Sequence, residues 1–483
     1  MDDPALVNLL NEEVKKYIRW CTPSVLRNAE RVADIYSSDV SASFSIHGNP
    51  IEITGIFDEA MKKAARLYNA DRTLFSVNGS TGSVYVVMRY LSLMYGNPLI
   101  LVTRNIHISV QNACEDFGIR YRFIRSYYDP EADAFIPPTP DDVKEALERY
   151  PEANAVLLSN PTYEGLSCRL RDVVRVVNNF DKDIIVIVDE AWGSHFKFSD
   201  KLPETAMDAG ADVSIQSTHK QGGSLQQTGM IHWKERVIDS DLMLDAYRGY
   251  ATTSPSYHLL ASLDAARSYL ERRGREEVER IIRISEIFRD QLKRIKGLRI
   301  MDHEMLERWR DHISGVDLTK TQLVMTNFDI TGFHLDAMLQ ANYRVVPEKA
   351  DYNSVLFLTT FQLEEDSVEP TVHAIEDSLK DKHSTNRKNL LFPPLRCDSP
   401  KIEPYLVRRM PKRLVSRRVP LDLAQDLVSA ENIVSYPPGV PILIKGFLIR
   451  REDIEYLREV KRAGGIIIAR DMLLREVEVL RPP

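Results

Sequence analysis

The stretch Ile184-Ile185-Val186-Ile187-Val188-Asp189-Glu190-Ala191-Trp192-Gly193 decides the fold. Its first five residues are apolar and β-branched without a polar interruption, the pattern of a strand buried on both faces in a parallel sheet, and the run ends on a carboxylate. In open α/β sheets ligands sit outside the carboxyl ends of the strands, which places Asp189 where a bound ring would meet it. An Asp after a strand otherwise often caps the next helix. Thirty-one residues after Asp189 stands Lys220, in Gln216-Ser217-Thr218-His219-Lys220 at the end of a second short apolar run, Val213 to Gln216.

A lysine among small hydroxyls and a histidine is suited to holding a phosphorylated aldehyde. Its amine forms a Schiff base with the aldehyde, and a carboxylate facing the pyridine nitrogen keeps that nitrogen protonated, so the ring can accept electrons from a carbanion. Pyridoxal 5'-phosphate joins the two residues, with Lys220 as anchor and Asp189 as the nitrogen's partner. Taken alone, a lysine is nearly always a solvated surface charge.

Phosphate needs donors. Phe75-Ser76-Val77-Asn78-Gly79-Ser80-Thr81-Gly82-Ser83 supplies them at the mouth of an amphipathic segment, Val84 to Tyr95. Gly79 and Gly82 admit close backbone approach, and a helix N-terminus offers unpaired amides and a partial positive charge. Ser80 and Thr81 are the side chains placed on the phosphate, with Ser217 or His219 as a second donor. The same stretch also makes an ordinary helix start with good caps. Past the strand Leu99 to Thr103 comes Arg104-Asn105-Ile106-His107-Ile108-Ser109, where the His107 imidazole is positioned to stack on the pyridine ring.

With these residues in hand, the chain resembles the pyridoxal-phosphate fold type I decarboxylases acting on ornithine, lysine and arginine, in their shorter bacterial form. The resemblance runs from about residue 70 to the end. It covers Val77-Asn78-Gly79-Ser80-Thr81-Gly82, the His107 segment, Asn160-Pro161-Thr162-Tyr163-Glu164-Gly165, Asp189 to Phe196 and Ser217-Thr218-His219-Lys220. It continues through Thr252-Thr253-Ser254-Pro255-Ser256-Tyr257, Val419-Pro420-Leu421 and Tyr436-Pro437-Pro438-Gly439-Val440-Pro441. The resemblance implies a large α/β domain with a mainly parallel sheet, a smaller α+β C-terminal domain, and decarboxylation of a basic amino acid to its amine. It also implies a homodimer or higher homo-oligomer in which Thr253 and Ser254 approach the partner's phosphate or substrate. As a turn, Thr-Ser-Pro-Ser has a local explanation of its own.

Three departures stand out against the family pattern: Phe44-Ser45-Ile46-His47-Gly48-Asn49-Pro50 near the N-terminus, Gln221-Gly222-Gly223 after Lys220, and Lys445-Gly446-Phe447 where a carboxylate is usual. They point to a reshaped substrate pocket. Because the bond held perpendicular to the ring is the one weakened, a reshaped pocket makes oxidation, deamination or elimination alternatives to decarboxylation. A non-catalytic binding or regulatory relative is a further alternative, opposed by the retention of Lys220 and Asp189. A cationic substrate calls for acidic groups, and Glu164, Glu190 and Asp351 are the candidates by neighbourhood to the matched motifs; Trp192 either walls the pocket or fills core.

The 483 residues exceed what one core organises and divide into an N-terminal helical arm (1–50, with an amphipathic helix from Pro4 to Tyr17), a cofactor-binding domain (51–310) and a small domain (311–483). Strands are expected at Leu99 to Thr103, Ala155 to Ser159, Ile184 to Asp189 and Val213 to Gln216, then at Thr321 to Phe328 and Ser354 to Thr359 in the small domain. A formal charge of −7 argues against nucleic acid as partner, and no apolar run suits a signal peptide or a membrane span. Cys21, Cys114, Cys168 and Cys397 have neither metal-site nor disulfide-framework spacing, which fits a cytoplasmic chain without a metal. Ten basic residues between Asn386 and Val419, interleaved with prolines, suggest an extended connector with a solvated face.

Overall fold

The computed structural model describes residues 10, 13–31, 34–384, 389–411, 415–437 and 439–481. Most of the expected Pro4 to Tyr17 helix lies outside the described residues. Strand β1 (Arg72–Ser76), helix α1 (Gly79–Tyr95), strand β2 (Leu99–Val102), helix α2 (Ile108–Phe117) and strand β3 (Arg120–Phe123) begin an alternation. It continues with β4 (Ala155–Ser159), β5 (Ile185–Asp189), β6 (Val213–Gln216) and β7 (Gly229–Trp233). These strands form one sheet in the order β1-β7-β6-β5-β4-β2-β3. All neighbours pair in parallel except β7, which runs antiparallel between β6 and β1.

The uninterrupted apolar run of β5 follows from this layout. Successive strand side chains point to opposite faces. Ile185 and Ile187 enter one core with Val87, Leu91 and Ile100, while Val186 and Val188 enter another with Leu101, Val156 and Val173. With helices on both faces, no position of β5 is left for a polar residue until Asp189 emerges at its carboxyl end. Because β1, β2, β4, β5 and β6 run the same way, the loops that follow them meet along one edge.

A 36-residue helix, α3 (Tyr257–Leu292), leaves this domain and enters the next. Leu263, Leu270 and Ile281 belong to the first core, and Ile284, Phe288 and Leu292 to a second. The second core lies against a four-stranded antiparallel sheet of β8 (Arg299–Ile300), β9 (Lys320–Val324), β10 (Lys349–Ala350) and β11 (Ser354–Leu358), in the order β8-β9-β11-β10. It also takes in the N-terminal segment, where Ile18–Trp20 pairs in parallel with Val345–Pro347 and Trp20 stacks on Phe288 at 4.3 Å. The boundaries at 50 and 310 therefore do not mark where one core stops and the next begins. The strand expected to reach Phe328 ends at Val324, where the chain turns.

A third core holds β12 (Ser416–Pro420), β13 (Ile433–Tyr436), β14 (Val440–Leu443), α4 (Arg451–Arg462), β15 (Ile466–Ile468) and β16 (Glu476–Leu480). Residues 311–483 thus build two cores rather than one small domain. In the basic stretch leading into the third core Lys401, Arg408, Arg409, Arg417 and Arg418 are exposed, as a solvated face requires, but the segment is neither wholly solvated nor wholly extended. Arg396 is buried against Asp453 at 3.0 Å, Pro404–Arg409 is helical, and Arg408 pairs with Asp116 at 3.1 Å.

The third unit grips α2 through a buried ion pair. Lys445 Nζ donates to Glu115 Oε2 at 2.5 Å, and Asn432 Nδ2 to Glu115 Oε1 at 2.8 Å. Burial raises the Glu115 carboxyl, and the Lys445 ammonium is the largest opposing influence. Lys445→Met strands that carboxylate in the interior, so chemical denaturation should report a loss of about 3–5 kcal/mol. The double variant that also replaces Glu115 by Met should recover most of it.

Candidate active site

The loops after β1, β2, β4, β5 and β6 close around a cavity of about 230 Å³. Ser80, Thr81, His107, Asp189, Ser217, His219 and Lys220 all line it, together with Gly79. Gly79 opens α1 at φ 61°, a conformation that costs a side chain strain, and even a Cβ there would come no closer than 3.9 Å to the His219 ring. Ser80 and Thr81 occupy the first helical turn, whose amides lack partners within the helix and carry the positive end of its dipole. Ser217 Oγ donates to Ser80 Oγ at 2.7 Å, tying the end of β6 to this turn.

His107 is the cap of α2. Its Nδ1 accepts the Ser109 N–H at 3.2 Å and lies 2.8 Å from Ser109 Oγ. Gly439, from the loop between β13 and β14, lies so close that a Cβ would stand 2.9 Å from the imidazole, so only glycine lets that loop press on the ring. Burial, with a smaller contribution from Lys220, lowers the His107 pKa to about 4, and the ring is neutral at pH 7. His219 is also lowered to about 4, chiefly by burial. Its Nδ1–H donates to the Thr228 carbonyl at 2.6 Å, leaving Nε2 as an acceptor until a bound anion draws a proton to it.

Asp189 ends β5 and accepts the Ala191 N–H on Oδ1 at 3.2 Å. Burial raises its pKa, and the Lys220 charge acts against that rise. Lys220 is itself pulled down to about 8 by burial, opposed by Asp189 and Glu348. Its Nζ stands 4.0 Å from the centroid of the Trp192 ring, and Trp192 meets Tyr163 edge-on at 4.8 Å. Trp192 is therefore a wall of this cavity.

Several residues not assigned a role from the sequence are found at or beside the site. Tyr163 and Tyr436 line the cavity, as do Asn105 and Phe135. Glu348 accepts from the Tyr163 hydroxyl at 2.8 Å and from the Thr22 amide at 2.7 Å. A second buried lysine, Lys320, donates to the Tyr163 carbonyl at 2.5 Å and lies 4.0 Å from the Trp192 centroid. Tyr163 and Tyr436 belong to the quoted motifs and were readable there; Glu348 and Lys320 carry no local signal.

Other expectations change. Glu190 faces away from the cavity, bracing the Ala206 amide, Ser214 Oγ and Gln216 Nε2 at 2.7, 2.8 and 2.9 Å. Within one copy of the chain, Ser254 lines a separate cavity beside Asn78 and Tyr250, and Thr253 is exposed; neither reaches the Lys220 cavity. Within one copy of the chain, none of the three departures lines the pocket. Phe447 is buried in the first core beside Phe123, Lys445 pairs with Glu115, and Gln221 Nε2 donates inward to Thr319 Oγ1 at 2.8 Å. Phe44 and Ile46 are exposed at the surface.

Residues 33–367 match the family model described as "Orn/Lys/Arg decarboxylase, major domain". The chain belongs to this family. It is 33% identical over 421 residues to a protein of Halalkalibacterium halodurans named arginine decarboxylase, covering 85% of this chain and 82% of that one. A Bacillus subtilis protein of the same name is 31% identical over 416 residues, with 85% and 82% covered. Among solved structures, the constitutive lysine decarboxylase of Escherichia coli superposes with a TM-score of 0.75 at 20% identity, over 92% of this chain and 75% of that one. An L-threonine transaldolase from Pseudomonas fluorescens superposes at 0.58 and 14% identity, over 78% and 86%. The fold is that of the fold type I pyridoxal-phosphate enzymes.

Proposed function

We propose that this protein is a pyridoxal 5'-phosphate-dependent decarboxylase of a basic amino acid, converting arginine, lysine or ornithine to the amine. The observation that carries the reading is that Lys220 and the buried Asp189 line one cavity bounded by the N-terminus of α1. The residues suit the cofactor. Lys220, brought down to about 8, offers a larger neutral fraction near physiological pH than an ordinary lysine does. Asp189 has a buried carboxylate to spend on a protonated nitrogen, and Ser80, Thr81, Ser217 and the first amides of α1 offer donors to a phosphate. The cofactor, when bound, supplies an electron sink for the bond broken at Cα.

The remaining work falls to the protein. The neutral His107 imidazole, held by Ser109 and pressed by Gly439, keeps an aromatic face over the cavity. Trp192 and Tyr163 exclude water from one wall. Lys220 is the group placed to return a proton to Cα once carbon dioxide has left. The departures that favoured oxidation, deamination or elimination sit in packed interior or on the surface, so no cavity residue argues for those outcomes. Incubating holo-protein with arginine, lysine and ornithine while measuring carbon dioxide, ammonia, oxygen uptake and peroxide tests the reading. Carbon dioxide with matching amine is expected; ammonia or oxygen uptake without carbon dioxide would overturn it.

The lowered lysine has a kinetic consequence. The rate at which apo-protein captures the cofactor should rise with pH and level off above an inflection near 8, the pKa of Lys220, rather than near the ordinary 10.5. Stopped-flow absorbance checks this. A homodimer, in which Thr253 and Ser254 serve the neighbouring site, predicts a light-scattering mass twice the 55.3 kDa of the chain. The four cysteines, all free thiols, suit a reducing cytoplasm.

A further inference from the structure

We propose that Glu164 and Asp351, gathered with Asp133 around Lys349 behind the Phe135 and Val440 wall of the cavity, form the subsite for the distal cation of the substrate. The inference rests on the reading of the chain as a decarboxylase of basic amino acids and names the groups that read the far end of that substrate.

Position comes first. A void of about 20 Å³ bordered by Glu164, Asp351 and Asp133 shares Phe135 and Val440 with the Lys220 cavity. Glu164 directly follows Tyr163, whose ring meets Trp192 at 4.8 Å, and Trp192 carries the Lys220 amine 4.0 Å from its ring centroid. The carboxylates therefore stand one side-chain layer behind the reacting end of the site.

Charge comes second. Lys349 Nζ donates to Glu164 Oε1 at 2.8 Å and pairs with Asp351 Oδ2 at 3.3 Å. Asp133 is met by neutral donors, Ser354 Oγ at 2.6 Å and the Tyr128 hydroxyl. Three carboxylates thus border the void with Lys349 as the one ammonium lining it; the Lys320 ammonium acts on Glu164 electrostatically from outside the void, and Tyr456 adds no positive charge. Burying uncompensated carboxylates is costly, and the cluster responds by holding Asp351 upward, through burial first and then through its acidic neighbours. A second cation would supply the missing charge.

The third observation is an open acceptor. Glu164 is 1% exposed, and among the described residues its Oε2 has no hydrogen-bond partner. A buried carboxylate oxygen without a donor is costly, and Glu164 is one of the residues that line the void. Size then ranks the ligands. A volume of about 20 Å³ holds one water-sized group, the size of a primary ammonium, whereas a planar guanidinium needs Phe135 or Val440 to shift.

The test uses holo wild-type protein and product-like amines as competitive ligands. Diaminopentane, diaminobutane and agmatine should inhibit at least tenfold more tightly than pentylamine and butylamine, which lack the distal cation. Equal inhibition by mono- and dications overturns the subsite. Diaminopentane binding more tightly than agmatine is expected from the size of the void, and the reverse order overturns the ammonium preference. Glu164→Gln should raise KM for the basic amino acid at least tenfold and erase the preference for dications, with the cofactor absorbance kept and the melting temperature lowered by the loss of the Lys349 partner. An unchanged KM also overturns the proposal, and should the variant fail to fold, the wild-type amine comparison decides alone. Decarboxylation intact with equal amine binding removes only the subsite; absence of any basic amino acid turnover removes the parent reading.

Discussion

Lys220→Ala yields a folded protein that gains no lysine-bound visible absorbance with pyridoxal 5'-phosphate and loses turnover by about 10⁴-fold, the upper end of what one positioned acid–base group contributes. The fold survives because the change deletes a cation from an interior that penalises it. Above pH 8 and up to 10.5, the unfolded chain still carries a proton on Lys220 that the folded chain has released. Stability of the wild-type apo-protein therefore rises with pH through that window relative to the alanine variant, and the two differ by a constant outside it. Lys320 offers no rescue, although it is buried nearby, because its amine is committed to the Tyr163 carbonyl. Retention of lysine-type absorbance in the variant would transfer the anchor role to another residue.

Asp189→Asn should keep the cofactor anchored and cut kcat by about 10²–10³-fold, the scale of removing one preorganised electrostatic contact from a dry site. Asparagine preserves the shape and can still accept the Ala191 N–H on its amide oxygen, so the end of β5 stays in place. What disappears is the negative charge that would hold a proton on the ring nitrogen. Because the same charge also supports the Lys220 ammonium, the variant should shift the Lys220 pKa further downward, and the inflection in cofactor capture should move below 8. A kcat within tenfold of wild type would remove Asp189 from the nitrogen. Comparing spectra of the two variants separates the roles: one loses the anchor, the other keeps it and loses the electron sink.

The residues proposed for the cofactor could be grouped from the sequence, and they line one cavity, because each follows its own strand. Asp189 ends the apolar run of β5, Lys220 lies just beyond β6, His107 follows β2, and Ser80 and Thr81 begin the helix after β1. In a parallel sheet those carboxyl ends share an edge, so local sequence at several strand ends suffices to collect one site. Thr253 and Ser254 did not join it, since a single copy of the chain places their turn beyond Asn78, on another cavity. The departures from the family pattern misled for a related reason. A position changed near a motif in sequence can point into the core, as Phe447 does, and nothing within three residues of it reveals that.

The sequence alone determined the alternating architecture and singled out Lys220, Asp189 and the Gly79 turn as candidates, because hydrophobic period and strand ends are properties of short segments. Only the tertiary structure decided that residues 311–483 build two cores, that Trp20 belongs with Phe288, and that Glu348 reaches Tyr163. It also separated the acidic residues by their contacts. Glu190 is spent on bracing β6 and the Ala206 amide, whereas Glu164 meets Lys349 across 185 residues of chain. Such pairings depend on how separately folded layers pack, and the cost of burying charge is set by that packing, not by the residues on either side in sequence.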